Sequence, residues 1–327
     1  MLGTTRHPTQ VEASGPSTVQ IVLAFAAVYV IWGSTYLAIR FAIETMPPFV
    51  MAALRFLIAG VALYAWARWA GAPRPTRRQW IGASVTGTLL LVGGNGAVVV
   101  AEQWVPSGLV ALIVATVPLW LVLLDWAFGS GLRPSARTSW GLLIGFAGVA
   151  VLGGSEGLGA GGAREELFGG LLVVVGSLCW AAGSLVSRYL PEPPRPRMLV
   201  AMQFLTGGLV FVLIAVPFGD WAAFDVREVS VRSSLALLYL IVFGAWIGYG
   251  AYIWLLTVVT PARAGTYAYV NPVVAMFLGW ALADEPLTFR SAVAAAIILG
   301  SVVMITSDPA RSGSGVARRP SPAARED

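Results

Sequence analysis

Residues 32–60 read WGSTYLAIRFAIETMPPFVMAALRFLIAG: the end of one apolar run, a short turn and most of a second run. Residues 180–208 repeat the stretch without a gap, each position 148 further along. Trp32, Arg40, Glu44, Pro48, Phe56 and Gly60 recur as Trp180, Arg188, Glu192, Pro196, Phe204 and Gly208. Leu37, Ala53 and Leu57 recur as Leu185, Ala201 and Leu205. Later in each half the offset becomes 154, pairing Gly94 with Gly248, Gly96 with Gly250, Val105 with Val259 and Pro118 with Pro272. The added residues fit a longer loop around Asp220 to Arg232. The chain is one apolar unit written twice.

Composition fixes the class of that unit. The 327 residues are 57% hydrophobic and 11% charged, with a mean hydropathy of +0.77; a soluble domain carries about a quarter charged residues. Apolar runs of about 20 residues suffice to cross the roughly 30 Å hydrocarbon core of a bilayer as helices. The runs are continuous rather than alternating, which argues against a β-barrel. Ten spans are expected, near 19–39, 49–67, 80–101, 106–127, 139–154, 168–189, 198–216, 234–256, 265–283 and 291–306. The fold class is all-α integral membrane, ten transmembrane helices as a 5+5 repeat. Residues 1–18 form a first tail, 19–154 and 168–306 the two repeats, 155–167 a glycine-rich linker and 307–327 a disordered tail. Polar residues 1–18 lack the features of a cleaved signal peptide, so the first run is read as a retained span.

All 21 basic residues are arginine. With the N-terminus inside, fifteen fall on the inner side and five on the outer, leaving Arg55 within a span. That bias places both termini in the cytoplasm. Five spans per half, an odd number, make the second half enter from the opposite face, so the repeat is inverted.

Several chemistries are excluded or disfavoured. His7, the only histidine, lies in the first tail, so no histidine dyad or intramembrane relay is available. Cys179 is the only cysteine, which rules out an intrachain disulfide and a cysteine metal site. Gly157, Gly159 and Gly162 have the spacing of a dinucleotide loop, but they lie between spans and read as linker. No P-loop is present, so ATP is not an expected partner; nor is nucleic acid. No cofactor and no metal are expected. The expected partners are a small-molecule substrate and the lipid bilayer.

The candidate binding residues are those that place polar or aromatic groups inside spans. Pro118 and Pro272 occupy corresponding positions, and each should bend its helix and free the carbonyl four residues back, Val114 or Ala268. Tyr267 and Asn271 are four apart on one face beside Pro272; Thr116 and Trp120 are four apart around Pro118. Trp32 and Tyr36 share a face of the first span, with Ser34 close by and Trp180 as the repeat partner of Trp32. Asn95 and Tyr249 complete the polar set. Arg55 sits about 10 Å into the second span, where a charge needs a carboxylate, carbonyls or a wet cavity. Glu102 is its candidate partner and also the candidate coupling residue, seven residues from Asn95 on one face.

IWGSTYLAIR (31–40), PPFVMAALRFLIAG (47–60), AEQWVPSGLVALIVATVPLW (101–120) and TYAYVNPVVAMFLGWALADEPLT (266–288) together resemble the EamA family of the drug/metabolite transporter superfamily, specifically its bacterial drug/metabolite exporter branch. The resemblance spans residues 19–306. It implies a ten-helix inverted repeat in the inner membrane and export of small metabolites, often amino acids or amphipathic compounds, without ATP. The expectation is a secondary transporter, not an enzyme, working by alternating access; the alternative is a passive facilitator or channel.

Overall fold

The computed structural model describes residues 17–129, 134–153, 163–190, 194–259 and 266–307. The two tails lie almost wholly outside these residues, as do the three glycines of the dinucleotide-like spacing. Among the described residues there is no strand. Ten long helices carry the fold there: α1 (Thr18–Ala42), α2 (Pro48–Trp69), α3 (Arg77–Ala101), α4 (Ser107–Phe128), α5 (Ala136–Gly153), α6 (Ala163–Arg188), α7 (Pro196–Ala215), α8 (Val231–Tyr252, continuing to Val258), α9 (Tyr267–Ala283) and α10 (Phe289–Thr306). α1–α4 and α6–α8 are long and apolar enough to cross a membrane; α5, α9 and α10 are shorter apolar helices.

Local signals set the helix ends. Ser17 and Gln20 form a capping box at α1, and Thr76 and Gln79 form another at α3. Pro48 and Pro196, repeat partners, open α2 and α7, where a missing N–H costs nothing. α6 starts at Ala163, inside the stretch read as linker, with Glu165 and Glu166 in its first turn. Acidic side chains there complement the helix dipole.

α2 and α7 cross at the centre. A Cβ on Gly60 would meet the Leu205 nitrogen at 2.9 Å, and one on Gly208 would meet the Leu57 nitrogen at 3.0 Å. Both pairs are related by the 148-residue offset, so one contact is made twice with the roles exchanged. Phe56 and its partner Phe204 meet at 5.4 Å between ring centroids. Exchanged contacts mark a two-fold axis. Because each half has five spans, that axis lies in the membrane plane.

The same exchange recurs away from the axis. Trp180 lies against Gly94 of α3, and Trp32 against Gly248 of α8; a Cβ would approach those rings to 2.8 and 2.5 Å. On the flank, Gly141, Gly145 and Gly148 of α5 let α10 close in, facing Ile305, Ser301 and Ile298. Small residues at helix contacts are how packing is achieved where lipid removes the hydrophobic drive between helices. Val19, Leu23, Leu213, Val273 and Phe277 are large apolar side chains left exposed on the outside of the bundle, as a surface in contact with lipid requires.

α3 and α8 depart from regular helix at matching places. Thr88–Asn95 and Leu240–Gly248 are π-helical; the 154-residue offset carries the first onto 242–249. Each inserts extra backbone and turns the following residues. Such segments cluster at functional sites.

Candidate functional site

A cavity of about 570 Å³ lies between the halves. It runs from the level of Arg55, Asn95 and Val98 along α4 and α6 to Asp125 and the exposed Arg188, where it reaches the surface. Trp32, Tyr36, Arg55, Asn95, Trp180, Tyr249, Tyr267, Asn271, Pro118 and Pro272 all line it. Val114 and Ala268, whose carbonyls the two prolines cannot engage, line it as well.

The two prolines act differently. Pro118 sits at the second position after a break in α4, where the helix stops at Val114 and resumes at Val117. Pro272 is carried inside the continuous α9, close to its start at Tyr267. Asn271, oriented so that its NH2 group faces acceptors, donates to the Tyr267 carbonyl at 3.1 Å and to the Tyr29 carbonyl at 3.3 Å. It pins the first turn of α9 to α1.

Aromatic rings form one wall. Trp32 packs on Tyr249, Tyr252 and Tyr267 with centroids 5.5, 5.2 and 5.0 Å away. Its indole N–H donates to the Gly244 carbonyl at 3.2 Å. Gly244 belongs to the π-helical turn of α8, so that carbonyl falls where Trp32 can use it. Tyr252 and Ser177 also line the cavity, and sequence reading does not single them out.

Arg55 is 6% exposed, in a region where a charged residue costs about 2.5–3.5 kcal/mol on insertion scales. Its Nη1 faces Asn95 Oδ1 at a long 3.5 Å, and its Nε has no partner. It makes no ion pair with Glu102: both Glu102 oxygens are buried without a hydrogen bond. Glu102 follows the last turn of α3 and lies outside the lining. Glu102, seven residues beyond Asn95, shares its face but lies about 10 Å further along the helix.

Three further candidates also lie outside the lining. Ser34, 200° around α1 from Trp32 and Tyr36, bonds the Tyr239 hydroxyl at 2.6 Å. Thr116 turns back onto the Ile113 carbonyl at the break in α4. Trp120 packs on Phe146 of α5 at 4.8 Å with its indole N–H unpartnered.

The end opposite Arg188 is shut by a contact that sequence reading does not find. Glu285, just beyond α9, is 7% exposed. It accepts the amide N–H of Ser107 at 2.8 Å and of Gly108 at 3.1 Å, the first residues of α4. Arg40, in the last turn of α1, adds an ion pair at 3.5 Å. A carboxylate on a helix N-terminus gains both the free amides and the dipole. The contact ties the second repeat to the first. The 154-residue offset puts glycine at position 131, opposite Glu285, so the carboxylate has no twin.

The family model described as the EamA-like transporter family matches residues 19–154 and 167–307, one match per half. The chain belongs to the EamA-like transporter family. It is a multi-pass membrane transporter protein. It is 39% identical to the uncharacterized inner membrane transporter YedA of Escherichia coli over 285 residues, which cover 86% of this chain and 89% of that one. The uncharacterized transporter YoaV of Bacillus subtilis is 23% identical over 294 residues, covering 88% and 97%. A solved crystal structure matches with a TM-score of 0.60 at 23% identity, over 88% of this chain and 96% of that one. That match speaks to the fold alone.

Proposed function

We propose that this EamA family member is a secondary carrier that exports small organic metabolites by alternating access, with both termini cytoplasmic. The observation that carries the reading is a cavity between two inverted halves, open at Asp125 and Arg188 and closed at Glu285, Ser107 and Arg40. The arginine bias makes the open end cytoplasmic. The solute enters there and meets the Trp32–Tyr249–Tyr267 wall, with Asn271 holding the first turn of α9. Release requires Glu285 to leave the α4 amides while the arginine-rich ends close.

Glu102 is the coupling candidate. Its orphaned oxygens favour the protonated state, since an isolated buried carboxylate is costly. It lies within electrostatic reach of Glu285, Arg40 and Arg55. Opening the latch would wet it and let it release its proton.

Counterflow in proteoliposomes tests the reading. A carrier shows saturable exchange stimulated by solute on the far side, and the Tyr267→Ala, Asn271→Ala double variant loses it. Linear, unstimulated flux would instead make the protein a passive facilitator. The latched end argues against that alternative, because a continuous pore has no closed end.

A further inference from the structure

Arg55 bears on what the cavity takes. Its guanidinium is buried and on the cavity wall. Among the described residues no carboxylate lies within ion-pair distance of it; Glu285 is taken by Arg40 and Glu44 by Arg232. One edge has only the 3.5 Å contact with Asn95, and Nε donates to nothing. The cation lies over the Phe56 ring, 5.0 Å from its centroid, a contact that does not neutralise it. A planar fork with unused donors on the wall of a mostly apolar cavity is built to take a carboxylate or a similar oxyanion.

The aromatic wall begins next to that fork. A Cβ on Gly244 would lie 3.6 Å from Arg55 Nη2, and the Gly244 carbonyl accepts the Trp32 indole N–H. Behind Trp32 stand Tyr249, Tyr252 and Tyr267. Such a cage would welcome a cation if it stood alone; the adjoining guanidinium repels one. Among the described residues no acid lines this wall to receive an ammonium: Glu102, within electrostatic reach of Arg55, is buried and outside the lining, and Asp125 lines the far, open end.

We infer that the cavity selects a monoanionic amphiphile, its carboxylate on Arg55 and Asn95 and its aromatic or apolar body on the Trp32 and tyrosine rings. The inference rests on the carrier reading above and adds the sign of the solute's charge to it. A volume of about 570 Å³ sits within the usual range for small-molecule pockets.

Four related phenyl probes that differ in charge decide it: 3-phenylpropionate, its neutral amide, 2-phenylethylamine and phenylalanine. Binding is measured by calorimetry on protein in nanodiscs, and counterflow is measured in proteoliposomes. The acid should bind at least tenfold more tightly than the other three. Arg55→Gln should bring the acid down to about the affinity of the amide. The wild-type series alone is decisive if that variant does not fold. Equal or tighter binding of the amide, the amine or phenylalanine overturns the inference, as does an unchanged acid-to-amide ratio in Arg55→Gln. If the amide or amine shows stimulated, saturable exchange and the acid does not, the carrier reading stands and the anion assignment falls. If no probe binds or exchanges, both fall.

Discussion

Glu285→Gln should open the closed end. The carboxylate accepts two amide N–H groups, from Ser107 at 2.8 Å and Gly108 at 3.1 Å, and pairs with Arg40 at 3.5 Å. Glutamine keeps one carbonyl acceptor and points its NH2 at the second amide. One charge-assisted bond is lost, about 1.5–3 kcal/mol. The dipole contribution falls by about 0.5–1 kcal/mol. The pair with the partly exposed Arg40 adds up to about 1 kcal/mol. A total near 3 kcal/mol moves the closed-to-open ratio by about two decades. The readout is a cysteine introduced at Ala111, on the lining near the closed end, in a chain whose only native cysteine, Cys179, is replaced by alanine. Intact cells are treated with a membrane-impermeant maleimide. Labelling should be slow with Glu285 present and about two decades faster in the Glu285→Gln chain, following the same shift in the closed-to-open ratio. Equal rates in the two chains would refute the latch. Fast labelling in both would refute a closed outer end.

Other substitutions probe separate parts of the argument. Gly279→Ala places a methyl against the Glu285 carboxylate, and should raise the same labelling rate without touching a charge. Gly60→Ala and Gly208→Ala each press a Cβ onto the backbone across the two-fold axis, and should lower thermal stability in detergent by about 1–3 kcal/mol each. Trp120→Phe should leave transport within about twofold of wild type, because its indole N–H has no partner and its ring lies outside the lining. Trp32→Phe, by contrast, removes the donor to Gly244, and should lower counterflow by about tenfold, the equivalent of roughly 1.4 kcal/mol. Glu102→Gln should barely change stability, since neither oxygen is bonded, and should flatten the dependence of transport on external pH.

Much of this protein follows from local chemistry that a linear reading can capture. Apolar runs of bilayer length, the 148-residue offset and the arginine distribution give spans, duplication and inversion, because each depends on composition or on counting along the chain. Helix ends are legible for the same reason: Ser17–Gln20, Thr76–Gln79, Pro48 and Pro196 act within one turn. Trp32, Arg55, Asn95, Tyr249, Tyr267 and Asn271 can be nominated, since polar and aromatic groups inside a span need a reason, and all of them do line the cavity. Ser34 and Trp120 cannot be told from them by spacing alone. Which face of a helix meets the cavity depends on what packs on the other face, here Tyr239 and Phe146. The π-helical turns lie beyond reach because hydrophobic periodicity assumes a constant 3.6-residue turn. The latch is hidden most completely. Glu285 and Ser107 are 178 residues apart, and a carboxylate finds free amides only after two inverted halves have folded against each other.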